Sequence, residues 1–168
     1  MMRIFTVMLL LLASLAVANA APLLKGDRQG QPVTIKSNEL SSDSKSRTAT
    51  FSGKVVARQG DLTIYSDKLV VHYKEEGGDL DKVVATGNVR IVQGDRLATA
   101  REAVYQSVEQ QIVLTGDPKV IQGENTVTGK VITYFVDEER SIVTGGPDTR
   151  VEAVITPKEK VKNGGQKR

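Results

Sequence analysis

His72 is the single histidine of the chain and cysteine is absent, so a base-activated nucleophile would have to be a hydroxyl reaching this one imidazole. His72 lies in the run Leu69-Val70-Val71-His72-Tyr73, opposite in phase to Val71 and Tyr73. That phase puts it on the solvent side of a strand, away from any pocket. Metal chemistry needs clustered ligands, and the densest acids are Asp79-Leu80-Asp81 and Asp137-Glu138-Glu139. Both groups fall in turn-like segments, where carboxylates serve solubility and turn geometry and calcium is the ion they would suit. Gly77-Gly78 lacks the Lys and Ser/Thr of a phosphate loop. No pair of carboxylates recurs in a way that singles it out for glycoside cleavage. Tyr105 and Tyr134 occupy equivalent positions in a repeat and read as packing residues. The residues therefore point to no enzyme, no cofactor and no metal, and the recurring signal is architectural.

Three times a small residue and glycine are followed by Gln-Gly: Ser52-Gly53 to Gln59-Gly60, Thr86-Gly87 to Gln93-Gly94, and Thr115-Gly116 to Gln122-Gly123. A fourth copy begins at Thr144-Gly145, and the leading glycines are spaced 34, 29 and 29 residues apart. Fixed-period similarity of this size marks an array in which each unit completes its neighbour's core. The segments Ile35-Lys36-Ser37, Ile64-Tyr65-Ser66, Ala98-Thr99-Ala100 and Val127-Thr128-Gly129 align with the same spacings, and one five-residue insertion, Glu75-Glu76-Gly77-Gly78-Asp79, accounts for the longer copy. Its Gly-Gly beside an acid is turn chemistry, and residues 42–45, 107–110 and 137–140 are the corresponding hairpin tips.

Between the tips, side chains alternate. Ala49, Phe51, Gly53, Val55 and Ala57 share one face, with only Val56 breaking the polar character of the other. Val83, Ala85, Gly87, Val89 and Ile91 repeat the pattern, as do Ile112, Leu114, Gly116, Pro118 and Val120. Period two over this length means half-buried strands, so the chain is all-β. In the second arm Ile64 and Ser66 point one way while Leu69 and Val71 continue on odd positions, which predicts a bend near Asp67 and Lys68. Each unit is thus two long kinked arms. No segment between the termini shows helical periodicity.

The N-terminus reads as a signal peptide: Arg3, an apolar run over residues 4–17, and the small-x-small site Ala18-Asn19-Ala20, with cleavage expected after Ala20. The run is shorter than the ~18 residues of a membrane span, which argues against a retained anchor. The expected organisation is a signal over 1–20, a flexible segment over 21–31, one β domain over 32–156 and a basic tail over 157–168. With no cysteine, an exported chain relies on sheet pairing and packing. The net charge of +3 is concentrated: five basic residues stand in the tail, and without these and Arg3 the body holds 17 basic residues against 19 acids. A near-neutral body with seven aromatics in the whole chain excludes a nucleic-acid surface.

The inward register is aliphatic and small, which fits either a dry solenoid core or a groove between sheets that admits acyl chains. Gly53, Gly87 and Gly116, counted on that register, would make room for a chain. The alternation assigns Ile35, Phe51, Val55, Ile64, Leu69, Val71, Val89, Ile91, Leu114, Val120 and Ile132 to the interior.

A signal sequence followed by Ile35-Lys36-Ser37-Asn38-Glu39-Leu40, Ala49-Thr50-Phe51-Ser52-Gly53-Lys54-Val55, Gln59-Gly60-Asp61-Leu62, Ser66-Asp67-Lys68-Leu69-Val70-Val71 and Ala85-Thr86-Gly87-Asn88-Val89 resembles the OstA-like family. The resemblance extends over about residues 32–155. It implies a repeat-built, twisted open β-jellyroll, a folded-over antiparallel sheet whose apolar interior carries the acyl chains of lipopolysaccharide through the periplasm. It also implies head-to-tail self-association and contact with the β-jellyroll domains of LptC and LptD. On this reading the eleven interior residues are the lipid-binding set. The competing readings are a structural or adhesive β-solenoid with a dry core, which binds partners but no lipid, and a carbohydrate-active β-helix enzyme, which would need an exposed acid cluster. An array without a closing strand has unpaired edges, here expected near residues 33–40 and 150–155, and edge-to-edge joining of successive copies extends into a filament.

The composition of residues 158–168 is that of a solvated segment. Deleting them should leave the thermal unfolding transition nearly unchanged. A large drop in Tm would show that the tail docks on the body.

Overall fold

The computed structural model describes residues 31–157. The expected signal sequence and its cleavage site, nearly all of the 21–31 segment, and the basic tail beyond Pro157 lie outside the described residues.

The alternating segments form twelve strands: β1 (Thr34–Lys36), β2 (Glu39–Asp43), β3 (Thr48–Gln59), β4 (Leu62–Tyr73), β5 (Leu80–Gln93), β6 (Arg96–Gln106), β7 (Gln111–Thr115), β8 (Lys119–Gln122), β9 (Asn125–Thr128), β10 (Val131–Phe135), β11 (Arg140–Thr144) and β12 (Glu152–Val154). Among the described residues there is no helix. Every pairing is antiparallel and the strands belong to one sheet.

The sheet is folded along a line that crosses all its long strands. β3 pairs with β2 through Thr48–Ser52 and with β1 through Val56–Arg58, and its register with β4 breaks between Ser52 and Val55. The β4–β5 register breaks between Tyr65 and Lys68, and the β5–β6 register between Thr86 and Val89. Towards the C-terminus the same line divides the arms completely, so that β7 and β8, β9 and β10, and β11 and β12 are separate strands. One half of the sheet thus ends in the longer turns and contains β2, β7, β10, β11 and one portion of each of β3 to β6. The other half ends in the Gln-Gly turns and contains β1, β8, β9, β12 and the remaining portions.

Both kinds of turn follow from the local residues. Gly60, Gly94 and Gly123 take φ of 58°, 57° and 57° while the following Asp61, Asp95 and Glu124 keep negative φ, the pattern of a two-residue II′ hairpin with glycine first. At the longer tip after β2, the Asp43 carboxylate accepts the Lys45 N–H at 2.8 Å and the Ser46 N–H at 3.3 Å. These bonds, that from Lys45 foremost, hold its pKa below the ordinary carboxylate value.

The fold line is built by glycine followed by a residue that also adopts the left-handed conformation: Gly53-Lys54 (φ 79° and 50°), Gly87-Asn88 (76° and 49°) and Gly116-Asp117 (75° and 56°). This corrects the expectation that these glycines make room inside a groove. A Cβ on Gly53 would lie 2.6 Å from Asn38 Nδ2, one on Gly87 would press on the Asp67 carboxylate, and one on Gly116 would lie 2.5 Å from Arg101 Cβ. Asn38, Asp67 and Arg101 are exposed, so the glycines face the outside of the bend. Two of the bends are tied across that outer side, by Asn88 Nδ2 donating to Asp67 Oδ2 at 2.8 Å and by the Arg101 Nη2–Asp117 Oδ2 pair at 2.7 Å. Their solvent exposure leaves these ties worth little, so backbone geometry dominates the bend.

Folding brings the inward rows of the two halves together. Val55, Ala57, Leu69, Val71, Ala85, Val89, Ile91, Ala98, Ala100, Ala103, Leu114 and Ile132 form one buried cluster. The outer face is less polar than the alternation in β3 suggests. Val70, Val84, Val104 and Val113 stand side by side on successive strands, half-buried by one another. Adjacent β-branched side chains stabilise a pleated surface even on the solvent side.

Gly87→Ala should destabilise the fold by about 2 kcal/mol, since an L-residue in the left-handed region costs ~1–2 kcal/mol before the contact with Asp67 is counted. Urea unfolding measures it, and an unchanged midpoint would show that the bend tolerates a side chain.

Candidate functional site

The apolar cleft between the two halves gathers the inward residues of the described strands. Of the eleven residues assigned to it by alternation, Val55, Leu69, Val71, Val89, Ile91, Leu114 and Ile132 are in the buried cluster. Ile35, Phe51, Ile64 and Val120 are half-buried and packed against it. All eleven therefore meet in one interior, while Lys54, Arg90 and Lys119 on the opposite register are exposed.

Register explains how distant residues converge. Across the long-turn half one inward row runs Leu40, Phe51, Leu69, Ala85, Ala103, Leu114, Ile132, Val143 on successive strands. Across the Gln-Gly half another runs Ile35, Ala57, Ile64, Ile91, Ala98, Val120, Val127, Ala153. Each row is a continuous apolar track from one edge of the sheet to the other. Alanine at several positions keeps the facing rows close, and no aromatic ring blocks the middle of either track.

The cleft is nearly closed in this conformation. It contains a cavity of about 30 Å³, lined by Ile91, Gln93, Arg96 and Ala98 from one half and Ile112, Leu114, Ile132 and Tyr134 from the other. That is room for a water molecule or two, so any acyl chain has to separate the halves and replace their mutual contacts.

A feature beyond the alternation analysis is the polar margin of the cleft. Beside the Gln-Gly turns the inward row reads Gln59, Leu62, Gln93, Arg96, Gln122, Asn125. The glutamines that recur before each turn glycine face inward along the lip, and Gln93 Nε2 donates to Asp61 Oδ2 at 2.8 Å. The signal was present in the parity: Val55 and Ala57 lead to Gln59, Val89 and Ile91 to Gln93, and Val120 to Gln122. On the other margin Tyr134 is buried and Tyr105 donates its hydroxyl to Gln110 Oε1 at 3.2 Å.

The two ends of the sheet are unpaired. β1 and β2 pair only with β3, β11 only with β10, and β12 only with β9, so the outer edges of these end strands are unpaired among the described residues. They expose Leu40 (60%), Ile142 (41%), Val154 (50%) and, just beyond, Ile155 (73%). His72 stands on the outer face between Thr48 and Lys82, away from the cleft. Among the described residues no three His, Cys, Asp or Glu side chains gather as metal ligands.

A family model described as LptA/(LptD N-terminal domain) LPS transport protein matches residues 34–140. The lipopolysaccharide export system protein LptA of Escherichia coli (strain K12) is 38% identical over 80 residues, 46% of this chain and 42% of that protein. An uncharacterised protein of Rhizobium meliloti (strain 1021) is 29% identical over 112 residues, covering 61% of this chain and 60% of its own. The chain thus matches less than two thirds of the length of these relatives. Among solved structures, LptH of Pseudomonas aeruginosa, described as the LptA homologous periplasmic component of the lipopolysaccharide transport device, superposes with a TM-score of 0.67 at 23% identity. That superposition covers 78% of this chain and 99% of LptH, and shows the same fold, a β-jellyroll whose end strands are unpaired. With the family model spanning most of the folded strands, the chain belongs to the LptA/LptD N-terminal-domain family of lipopolysaccharide transport proteins, the family its ordered repeats resemble.

Proposed function

We propose that this chain is a non-enzymatic periplasmic carrier of lipopolysaccharide that stacks head to tail to bridge the inner and outer membranes. The observation that carries this reading is the apolar interior whose rows run from edge to edge of the sheet and reach both unpaired ends. The acyl chains of lipid A lie between the two halves, against the eleven interior residues from Ile35 to Ile132. Transfer from water favours this by about 0.8 kcal/mol per methylene, so one chain of a dozen carbons supplies roughly 9 kcal/mol towards parting the halves. Copies join through the free edges, β1 and β2 of one against β11 and β12 of the next, so that the apolar tracks continue from copy to copy. The same edges suit the related β-jellyroll domains of LptC and LptD at the two ends of the bridge.

The near-closure of the cleft favours a second reading, a structural β-solenoid with a dry core. The two differ in lipid uptake. Photo-crosslinkers at Phe51, Val55, Ile64, Leu69, Val89, Ile91, Leu114 and Ile132 should capture lipopolysaccharide, and those at Lys54, Arg90 and Lys119 should not. Equal labelling of the two sets, or none at all, would defeat the carrier reading.

Assembly has a separate test. Ile35 lies in β1 at one end of the sheet and Val151 immediately precedes β12 at the other. Proline removes a backbone donor, so Ile35→Pro or Val151→Pro should weaken head-to-tail association, each at one end. Each single variant should still form one contact with a wild-type copy, and the double variant should stay monomeric in light scattering across a concentration series. Rods formed by the double variant as readily as by wild type would mean that the contact uses another surface.

A further inference from the structure

Arg96 is the single cation on the inward rows of the described strands. It opens β6 directly after the Gly94-Asp95 turn, pairs in register with Gln93 on one side and Gln122 on the other, and lines the interior cavity. Its Nε is buried without a hydrogen-bond partner among the described residues. Nor does Arg96 form an ion pair there: the nearby Asp61 carboxylate accepts from Gln93, and the described ion pairs engage Arg47, Arg101 and Arg140 instead.

A half-buried guanidinium with an unmet donor is a destabilising arrangement for the protein alone. A charged donor left unsatisfied costs more than a neutral one, and nothing in the sheet requires a cation here. Leu62 and Asn125 occupy the equivalent lip positions after the preceding and following Gln-Gly turns. The arrangement becomes favourable once an anion sits at the lip. Once entering chains part the halves and uncover Nε, it and a terminal nitrogen of the same guanidinium form a fork that matches two phosphate oxygens, and the flanking Gln122 amide adds a neutral donor.

We infer that Arg96 is the anchor for a phosphate-bearing lipid headgroup at the Gln-Gly margin of the cleft. The geometry orders the ligand: acyl chains run inward past Ile91, Ala98 and Leu114, and the phosphate stays at the lip, where Arg96 has both apolar wall and water beside it. The guanidinium thereby fixes which margin the headgroup leaves by and how deep the chains descend. This inference rests on the carrier reading above, and the experiment separates the two.

The full chain and its Arg96→Met and Arg96→Lys variants are compared in equilibrium binding to lipid A carrying both phosphates, to dephosphorylated lipid A and to inorganic pyrophosphate. Arg96→Met should bind phosphorylated lipid A about tenfold or more weakly, the scale of a lost charge-assisted pair, and dephosphorylated lipid A unchanged. Arg96→Lys should recover part of the loss, as a point charge without the fork. Pyrophosphate alone should bind far more weakly than the lipid. The wild-type chain carries the same test without any substitution, since it should prefer the phosphorylated lipid by about tenfold. Equal wild-type affinity for the two lipids, or an equal loss with both in Arg96→Met, overturns the anchor and leaves the carrier standing. Pyrophosphate binding as tight as the lipid's overturns the lipid as the source of the phosphate. Failure of the wild-type chain to bind either lipid overturns both readings.

Discussion

An antiparallel sheet with one apolar face and no closing strand has to hide that face, and this chain hides it by bending every long strand at the same height. The bend is a backbone device. Two successive left-handed residues, glycine first, turn each of β3 and β5 and separate β7 from β8, and the register of the whole sheet breaks along that line. Because antiparallel neighbours are locked to one another by ladder hydrogen bonds, a bend in one strand can survive only if its neighbours bend beside it. The period of the sequence is the period of that requirement. Without the common fold line the inward rows would face water, and the sheet would have no interior.

The interior formed in this way differs from an ordinary core in its shape. A core is finite in every direction, whereas this one ends only where the strands end, and its terminal strands leave apolar side chains and backbone groups exposed. Such edges are a liability in a solitary protein and an asset in one that continues into another copy. The two properties, an unfinished edge and an apolar track reaching it, support the same proposed function from independent physics. One concerns backbone hydrogen bonds, the other solvation of side chains.

Much of this was legible from parity. The positions of Val55, Leu69, Val89, Leu114 and Ile132 follow from alternation alone, because period two leaves no third place for a side chain, and the change of phase between Ser66 and Leu69 marked the bend. The glycines are not legible in this way, because a residue without a Cβ carries no facing information and counting Gly53 on the inward register has no side chain to support it. The better signal was the next residue: Asn and Asp tolerate the left-handed region, and Asn88 and Asp117 directly follow the bend glycines. Outer valines such as Val84 and Val104 are not marked by the pattern, because β-branched residues are favoured on either face of a sheet. The width of the cleft was never in the pattern. It depends on how alanine and isoleucine from two distant halves interdigitate, which is a property of volumes and not of alternation.

Repetition also constrains how a ligand would travel. Units related by a fixed period present nearly the same apolar walls, so a chain lying along one unit meets similar energies in the next, and no single unit traps it. Each step exchanges contacts between the halves for contacts with the chain, and both are apolar, so the barrier is far below the cost of exposing the chain to water. A polar fixture on such a smooth track is conspicuous for the opposite reason. Arg96 breaks the equivalence at one unit in the middle of the sheet, where the matching positions are Leu62 and Asn125, so a headgroup held there gives an otherwise uniform path a preferred station. If copies stack as proposed, such stations would recur once per molecule and divide a continuous groove into a series of discrete sites. Passage from site to site would then cost the breaking of one charge-assisted contact, small enough for transfer and large enough to keep a headgroup oriented while acyl chains slide.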